Sequence, residues 1–257
     1  MLRPRIIPCL LVKNKGLVKT VNFKDPKYVG DPINAVRIFN EKEVDELMVL
    51  EIDASSHHRE PDFKMIENLA AECRMPLCYG GGIKTAQQAQ RTISLGVEKV
   101  AVSSAAVDHP ELITEIAREA GSQSVVAVMD VKKKLWGEDY EVWTYNGQQS
   151  TGKDPVEFAQ ELEKLGAGEI VVNAIDQDGR MKGYDLVLVE KIRRSITVPM
   201  TVLGGAGSLR DIGQLINAYG IIGAAAGSLF VFKGVYRAVL LNYPDRQEKD
   251  ALMKKNA

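Results

Sequence analysis

An aspartate that ends a run of apolar residues invites a chemical reading. Val125-Val126-Ala127-Val128-Met129 leads directly into Asp130. If the run is a strand, Val126, Val128 and Asp130 share one face, because strand side chains alternate. A carboxylate continuing an apolar face is costly unless it is hydrated or hydrogen-bonded, which makes Asp130 a candidate general acid/base. Capping of the next loop is the competing use of such a residue. Asp53 and Asp176 end two further apolar runs.

A second chemistry is suggested by glycine. Gly80-Gly81-Gly82 and Gly204-Gly205-Ala206-Gly207 each follow a candidate strand and precede a helical stretch. Exposed amides ahead of a helix N-terminus bind anions, and glycine lets the backbone approach closely. A later strand in each half ends in Ser103-Ser104 or Gly227-Ser228. Gly81, Gly82, Ser103 and Ser104 thus form one candidate phosphate site, and Gly204, Gly205, Gly227 and Ser228 the other. The pair suits a small-molecule substrate phosphorylated at both ends. Tight turn packing is the alternative; repetition at corresponding strand ends favours binding. Charges also begin four strands: Arg5, Glu46, Lys99 and Glu169. Composition alone makes these solvated strand ends.

The elements that must hold these groups alternate in type. Candidate strands are 5–12, 46–53, 76–80, 99–103, 124–130, 169–175, 199–203 and 223–227, several almost wholly apolar, as in parallel sheets covered on both faces. Helical spacing is present in 32–40, 63–72, 86–95 and 155–165. Asp31-Pro32 and Asp154-Pro155 each pair an N-cap with a first-turn proline. Eight strands alternating with helices over 257 residues predict an α/β fold, a (β/α)8 TIM barrel, with a doubly wound open sheet as the alternative.

An internal repeat strengthens the barrel. Residues 76–83 resemble residues 199–206 at an offset of 123, and 96–107 resemble 220–231 at 124. At an offset of 119, Leu11 is the counterpart of Asp130. The expectation is a single domain over 1–257, built from two (βα)4 half-barrels, about 1–122 and 123–244. Residues 132–152, with Asn146-Gly147 and alternating Tyr140, Val142 and Thr144, read as a hairpin insertion whose aromatics cover a ligand or fill their own small core. The charged tail, 245–257, is expected to fray.

Composition excludes other classes. A net charge of −1 supplies no global attraction to nucleic acid or to an anionic membrane, and no apolar run approaches a membrane span. The start of the chain lacks a secretory h-region. Cys9, Cys73 and Cys78 are too few and odd for a disulfide framework, which points to the cytoplasm. They lack a second ligand pair at zinc spacing, so no metal and no cofactor is expected. His57 and His58 sit in a polar stretch and read as exposed loop.

With these motifs in view, the sequence resembles the HisF-type cyclase subunit of imidazole glycerol-phosphate synthase across nearly its whole length. The resemblance rests on Arg5-Ile6-Ile7-Pro8-Cys9-Leu10, Val21-Asn22-Phe23, Gly30-Asp31-Pro32, Gly80-Gly81-Gly82-Ile83, Gly121-Ser122-Gln123, Gly166-Ala167-Gly168-Glu169-Ile170, Asp178-Gly179, Gly183-Tyr184-Asp185 and Gly204-Gly205-Ala206-Gly207. It implies a half-barrel repeat, two phosphate sites and a glutaminase subunit at the N-terminal face, whose ammonia passes through the barrel to a ribonucleotide intermediate. The products in that family are imidazole glycerol phosphate and an aminoimidazole carboxamide ribotide. It implies that Asp130 is one of two catalytic aspartates and that Lys19 is the lysine of a mobile first loop. Arg5, Glu46, Lys99 and Glu169 become the ammonia gate, and Asp176 and Asp178 the acidic substrate-binding residues after strand six.

The departures alter this reading. The second catalytic aspartate falls on Leu11. Glu51, Asn173-Ala174, Leu203 and Cys78 replace an aspartate, a Thr-Ser pair, a serine and a threonine. Losing an essential carboxylate costs ~10²–10⁴ in rate. The pattern resembles divergent paralogues associated with amidation of surface-polysaccharide sugars, in which the barrel and its glutaminase supply ammonia to a separate sugar amidotransferase. That use is favoured over histidine biosynthesis. A non-cyclising channel protein is a further alternative. A stand-alone sugar-phosphate isomerase is disfavoured, because it too needs two carboxylates.

Overall fold

Short apolar runs that cannot face water on either side must be covered on both, and here they close on themselves. The computed structural model describes residues 3–253. Its strands in chain order are β1 (Arg5–Lys13), β2 (Gly16–Val21), β3 (Lys24–Gly30), β4 (Leu47–Glu51), β5 (Leu77–Gly80), β6 (Lys99–Val102), β7 (Val125–Lys133), β8 (Tyr140–Thr144), β9 (Gln149–Ser150), β10 (Glu169–Ala174), β11 (Met200–Leu203), β12 (Gly223–Ala226), β13 (Phe232–Lys233) and β14 (Ala238–Val239). The parallel circle is β1, β4, β5, β6, β7, β10, β11, β12. β12 returns to β1 with Arg5 opposite Gly223 and Pro8 opposite Ala226. A closed circle has no free edge, so this is the (β/α)8 barrel and not an open doubly wound sheet.

Strand alternation sorts side chains into two apolar layers. On β1, Ile6, Leu10 and Val12 pack outward under the helices. Ile7 and Cys9 point into the lumen with Met48, Cys78, Val126, Val128 and Val171. The predicted helix starts form as expected: Asp31 accepts the Asn34 N–H at 2.9 Å, and Asp154 accepts the Val156 N–H at 2.8 Å. Each such cap stabilises its helix by about 1 kcal/mol. Helices Leu112–Ala120, Leu186–Arg193 and Leu209–Tyr219 join the four expected ones in the outer ring, and Arg246–Met253 packs against Leu209–Tyr219 as the eighth. No helix among the described residues is long and apolar enough to cross a membrane.

Two segments differ from expectation. First, β1 runs into an unpredicted antiparallel hairpin, β2–β3, through two-residue turns with positive φ at Asn14 and Lys15 and again at Asn22 and Phe23. Primed turns of this kind match strand twist, and asparagine tolerates them. Second, the charged end does not fray over its described part. Arg246–Met253 is helical, Lys249 Nζ bonds Asp45 Oδ1 at 2.9 Å, and Leu252 packs where a Cβ on Gly213 would stand 3.0 Å away. Residues 254–257 lie outside the described residues. In the second hairpin, β8 pairs with β7 and β9, placing Tyr140, Val142 and Thr144 inward and the Asn146-Gly147 turn between β8 and β9.

Candidate functional site

The four strand-start charges are not solvated singly. Arg5 bonds both Glu46 and Glu169, the latter Nη2 to Oε1 at 2.7 Å. Lys99 Nζ lies 2.9 Å from Glu46 Oε1 and 2.9 Å from Glu169 Oε2. Thr201 Oγ1 donates to Glu169 Oε1 at 2.6 Å. Each cation thus bridges both carboxylates in a neutral ring that floors the lumen. Burial pushes the Glu169 carboxyl up, but hydrogen bonds and charge from Arg5 and Lys99 outweigh it and hold the carboxyl down at about 2. Burial likewise opposes the two cations, and the facing carboxylates still hold both above their ordinary values.

Above the ring the lumen is apolar, and polar groups return only at its mouth. There β7 presents Asp130. Asn173 Nδ2 donates to Asp130 Oδ1 at 2.8 Å, and Ser103 Oγ donates to Oδ2 at 3.4 Å. Burial nevertheless pushes this carboxyl up to about 7, against both hydrogen bonds. It can therefore give or take a proton near neutrality. Leu11, on β1, also lines the cavity and brings no second acid/base group. Asn173 Oδ1 is buried and has no hydrogen-bond partner among the described residues.

Both glycine loops line the same cavity, as do Ser103, Ser104, Gly227 and Ser228. Their glycines are also required by packing. Gly81 has φ +126° and its Cβ would stand 2.6 Å from Glu51 O; Gly205 has φ +112° and its Cβ would stand 2.1 Å from Gly183 O. Turn packing therefore accounts for the residue type, while the position at the cavity wall accounts for a binding use. The Ser104 hydroxyl accepts the Tyr145 N–H at 3.0 Å, tying the second hairpin to the first loop pair.

Lys19 lies on β2, not in a loop. Its ammonium is buried, 6% exposed, and donates to Cys9 O at 2.6 Å. Gly227 makes room for it, since a Cβ there would stand 2.2 Å from Nζ. Burial lowers the Lys19 pKa below its ordinary value, with Cys9 and Asp178 opposing.

A family model described as "Histidine biosynthesis protein" matches residues 5–237. A Vibrio vulnificus protein named "Putative imidazole glycerol phosphate synthase subunit hisF3" is 57% identical over 249 residues, covering 97% of this chain and 96% of that one. The chain belongs to the HisF-type imidazole glycerol phosphate synthase subunit family. Within that family it is 54% identical over 250 residues to a Pseudomonas aeruginosa protein named "Putative imidazole glycerol phosphate synthase subunit hisF2", covering 97% and 99%. It is 40% identical over 230 residues to the Lactococcus lactis "Imidazole glycerol phosphate synthase subunit HisF", covering 90% and 89%.

Of the sequence-predicted residues, the fold brings Asp130, Lys19, Asp178 and both glycine–serine sets to one cavity. It gathers the four charges into one ring at the opposite end of the lumen. Asp176 does not line the cavity: its Oδ2 accepts the Lys133 N–H at 2.8 Å. Thr20 and Phe23 line it without having been foreseen, whereas Tyr145 and Asn146 come from the hairpin whose aromatics were expected to cover a ligand or fill their own small core. Asn14 and Asn22, a residue type that tolerates positive φ in tight turns, were the available signal for the first two. The hairpin aromatics divide between the proposed uses. Tyr140 joins the core, Tyr145 reaches the cavity, and Trp136 is 90% exposed.

Proposed function

We propose that this chain is the ammonia-receiving subunit of a glutamine amidotransferase and delivers ammonia for sugar amidation in surface-polysaccharide synthesis. The observation that carries this reading is Leu11 across the mouth from Asp130. Ring closure needs proton donation and acceptance at different atoms, and one tuned carboxyl serves only one of them at a time.

A glutaminase subunit would dock on the N-terminal face, over the ring of Arg5, Glu46, Lys99 and Glu169, which acts as the gate. Neutral ammonia then crosses the apolar lumen, whereas ammonium would have to shed water at a cost of several kcal/mol. At the mouth it meets Asp130 and a phosphorylated ligand held between Gly81, Gly82, Ser103, Ser104 and Gly204, Gly205, Gly227, Ser228. The buried Lys19 ammonium would offset ligand charge. A separate sugar amidotransferase would consume the ammonia, all in the cytoplasm. Identities of 54–57% to relatives with qualified, numbered names, against 40% to the Lactococcus subunit, support a divergent branch.

A second reading, lyase-type cyclisation in histidine biosynthesis, is favoured by the retention of Asp130 at about 7. Purified protein with an ammonium salt and the ribonucleotide intermediate separates the two. The delivery reading expects trace turnover, raised by Leu11→Asp on the order of 10²-fold. Robust turnover by the natural chain overturns it, and an inert Leu11→Asp removes the missing-carboxylate argument.

A further inference from the structure

The turn that follows β10 touches three separate hairpins around the mouth. Asp178 Oδ2 accepts from Thr20 Oγ1 at 2.7 Å and from the Phe23 N–H at 3.1 Å, and its carbonyl accepts the Asn22 N–H at 3.0 Å. Arg180 Nε donates to Asn22 Oδ1 at 3.0 Å. Gly179 is pressed so close that a Cβ would stand 2.2 Å from Thr20 O. One residue pair back, Asp176 holds the Lys133 N–H at the root of the second hairpin. Gly179 O accepts from Arg237 Nη2 at 3.2 Å in the turn between β13 and β14.

We infer that Asp178 is a positioning residue for Lys19, and that turn 176–179 is a clasp seating three hairpins over the mouth. Lys19 and Thr20 are consecutive on β2, so the bond that fixes Thr20 also fixes the backbone from which the Lys19 side chain reaches Cys9 O. That ammonium is buried against a carbonyl and has no ion-pair partner among the described residues. Alone, such a charge gains by swinging out to water. Only a firmly seated strand keeps it in the cavity. Asp178 Oδ2 already accepts two hydrogen bonds from the hairpin, which is the work of a clasp; Asp176 is turned to the backbone altogether. The inference stands apart from the proposed function, since it concerns where a side chain is held and not what the cavity binds.

Lysine acetylation of the full chain, read residue by residue by mass spectrometry, tests it together with hydrogen exchange. In the natural protein Lys19 should label at least about tenfold more slowly than the exposed Lys24 and Lys27, because labelling requires local opening. In Asp178→Ala its rate should approach theirs, with faster exchange over 16–30 and unchanged exchange over 125–133. Thr20→Val, which removes one bond and leaves Asp178 in place, should give an intermediate rate. Asp178→Asn keeps an acceptor oxygen and should keep most of the protection. Protection of Lys19 retained in both Asp178→Ala and Thr20→Val overturns the inference, as does an asparagine variant as reactive as the alanine one. If Asp178→Ala does not fold, Thr20→Val decides by itself.

Discussion

Replacing Glu169 with glutamine removes one carboxylate from the floor ring while keeping its shape. Glu169 is 5% exposed and bonds Arg5, Lys99 and Thr201. Its folded value of about 2 lies below its ordinary 4.5. A depressed carboxyl stabilises the fold fully above its ordinary value and loses that stabilisation as pH falls through the folded one. The gap between the two values corresponds to about 3 kcal/mol at neutral pH. Arg5 and Lys99 are 26% and 19% exposed on their side chains, so water screens part of the effect. About 2–3 kcal/mol should remain, or roughly 5–10 °C in Tm for a chain of this size. Urea unfolding followed by circular dichroism at pH 7, 5 and 3 measures it. The natural chain should exceed Glu169→Gln by the full amount at pH 7 and by nearly as much at pH 5. Near pH 3 the difference should shrink to roughly half, because the unfolded chain's carboxyl is then protonated while the folded one is still mostly ionised. Equal stability at pH 7, or a difference that does not narrow on acidification, would refute the ring as a coupled ionic unit.

Other outcomes follow from the same geometry. With a glutaminase partner, Glu46→Ala and Lys99→Ala should let glutamine be consumed without delivery of its ammonia; unchanged coupling in both discards the gate. Gly205→Ala forces a Cβ to 2.1 Å from Gly183 O at φ +112°. It should cost more than about 2 kcal/mol and weaken calorimetric binding of a sugar bisphosphate at least about tenfold; unaltered binding counts against a phosphate site there. Because burial places the Asp130 carboxyl at about 7, it is protonated below that pH and ionised above. A step in which Asp130 accepts a proton should rise in rate with pH through about 7 and lose that limb in Asp130→Asn. A limb near pH 4 refutes the burial argument.

The barrel strands were legible because residues buried on both faces must be apolar throughout, as in Val125–Met129. The helix starts at Asp31 and Asp154 were legible because a cap acts within three residues. The β2–β3 hairpin was not. It has asparagine turns without the usual following glycine, and what seats it is Asp178, 158 positions from Thr20. The terminal helix was obscured for the same reason: Lys249 finds Asp45 across 204 positions.

The sequence by itself determined which groups could do chemistry: Asp130 with no partner at Leu11, two glycine loops, four strand-start charges. Only the tertiary structure decided what each group became. Arg5 and Glu169 are 164 positions apart and bond because the barrel closes. Asp176 and Asp178 sit in nearly the same local sequence, yet one reaches the cavity wall and the other caps a strand. Neighbours along the chain set backbone preference and polarity, whereas closure of the barrel sets burial and charge environment, and those fix a side chain's proton affinity and reach.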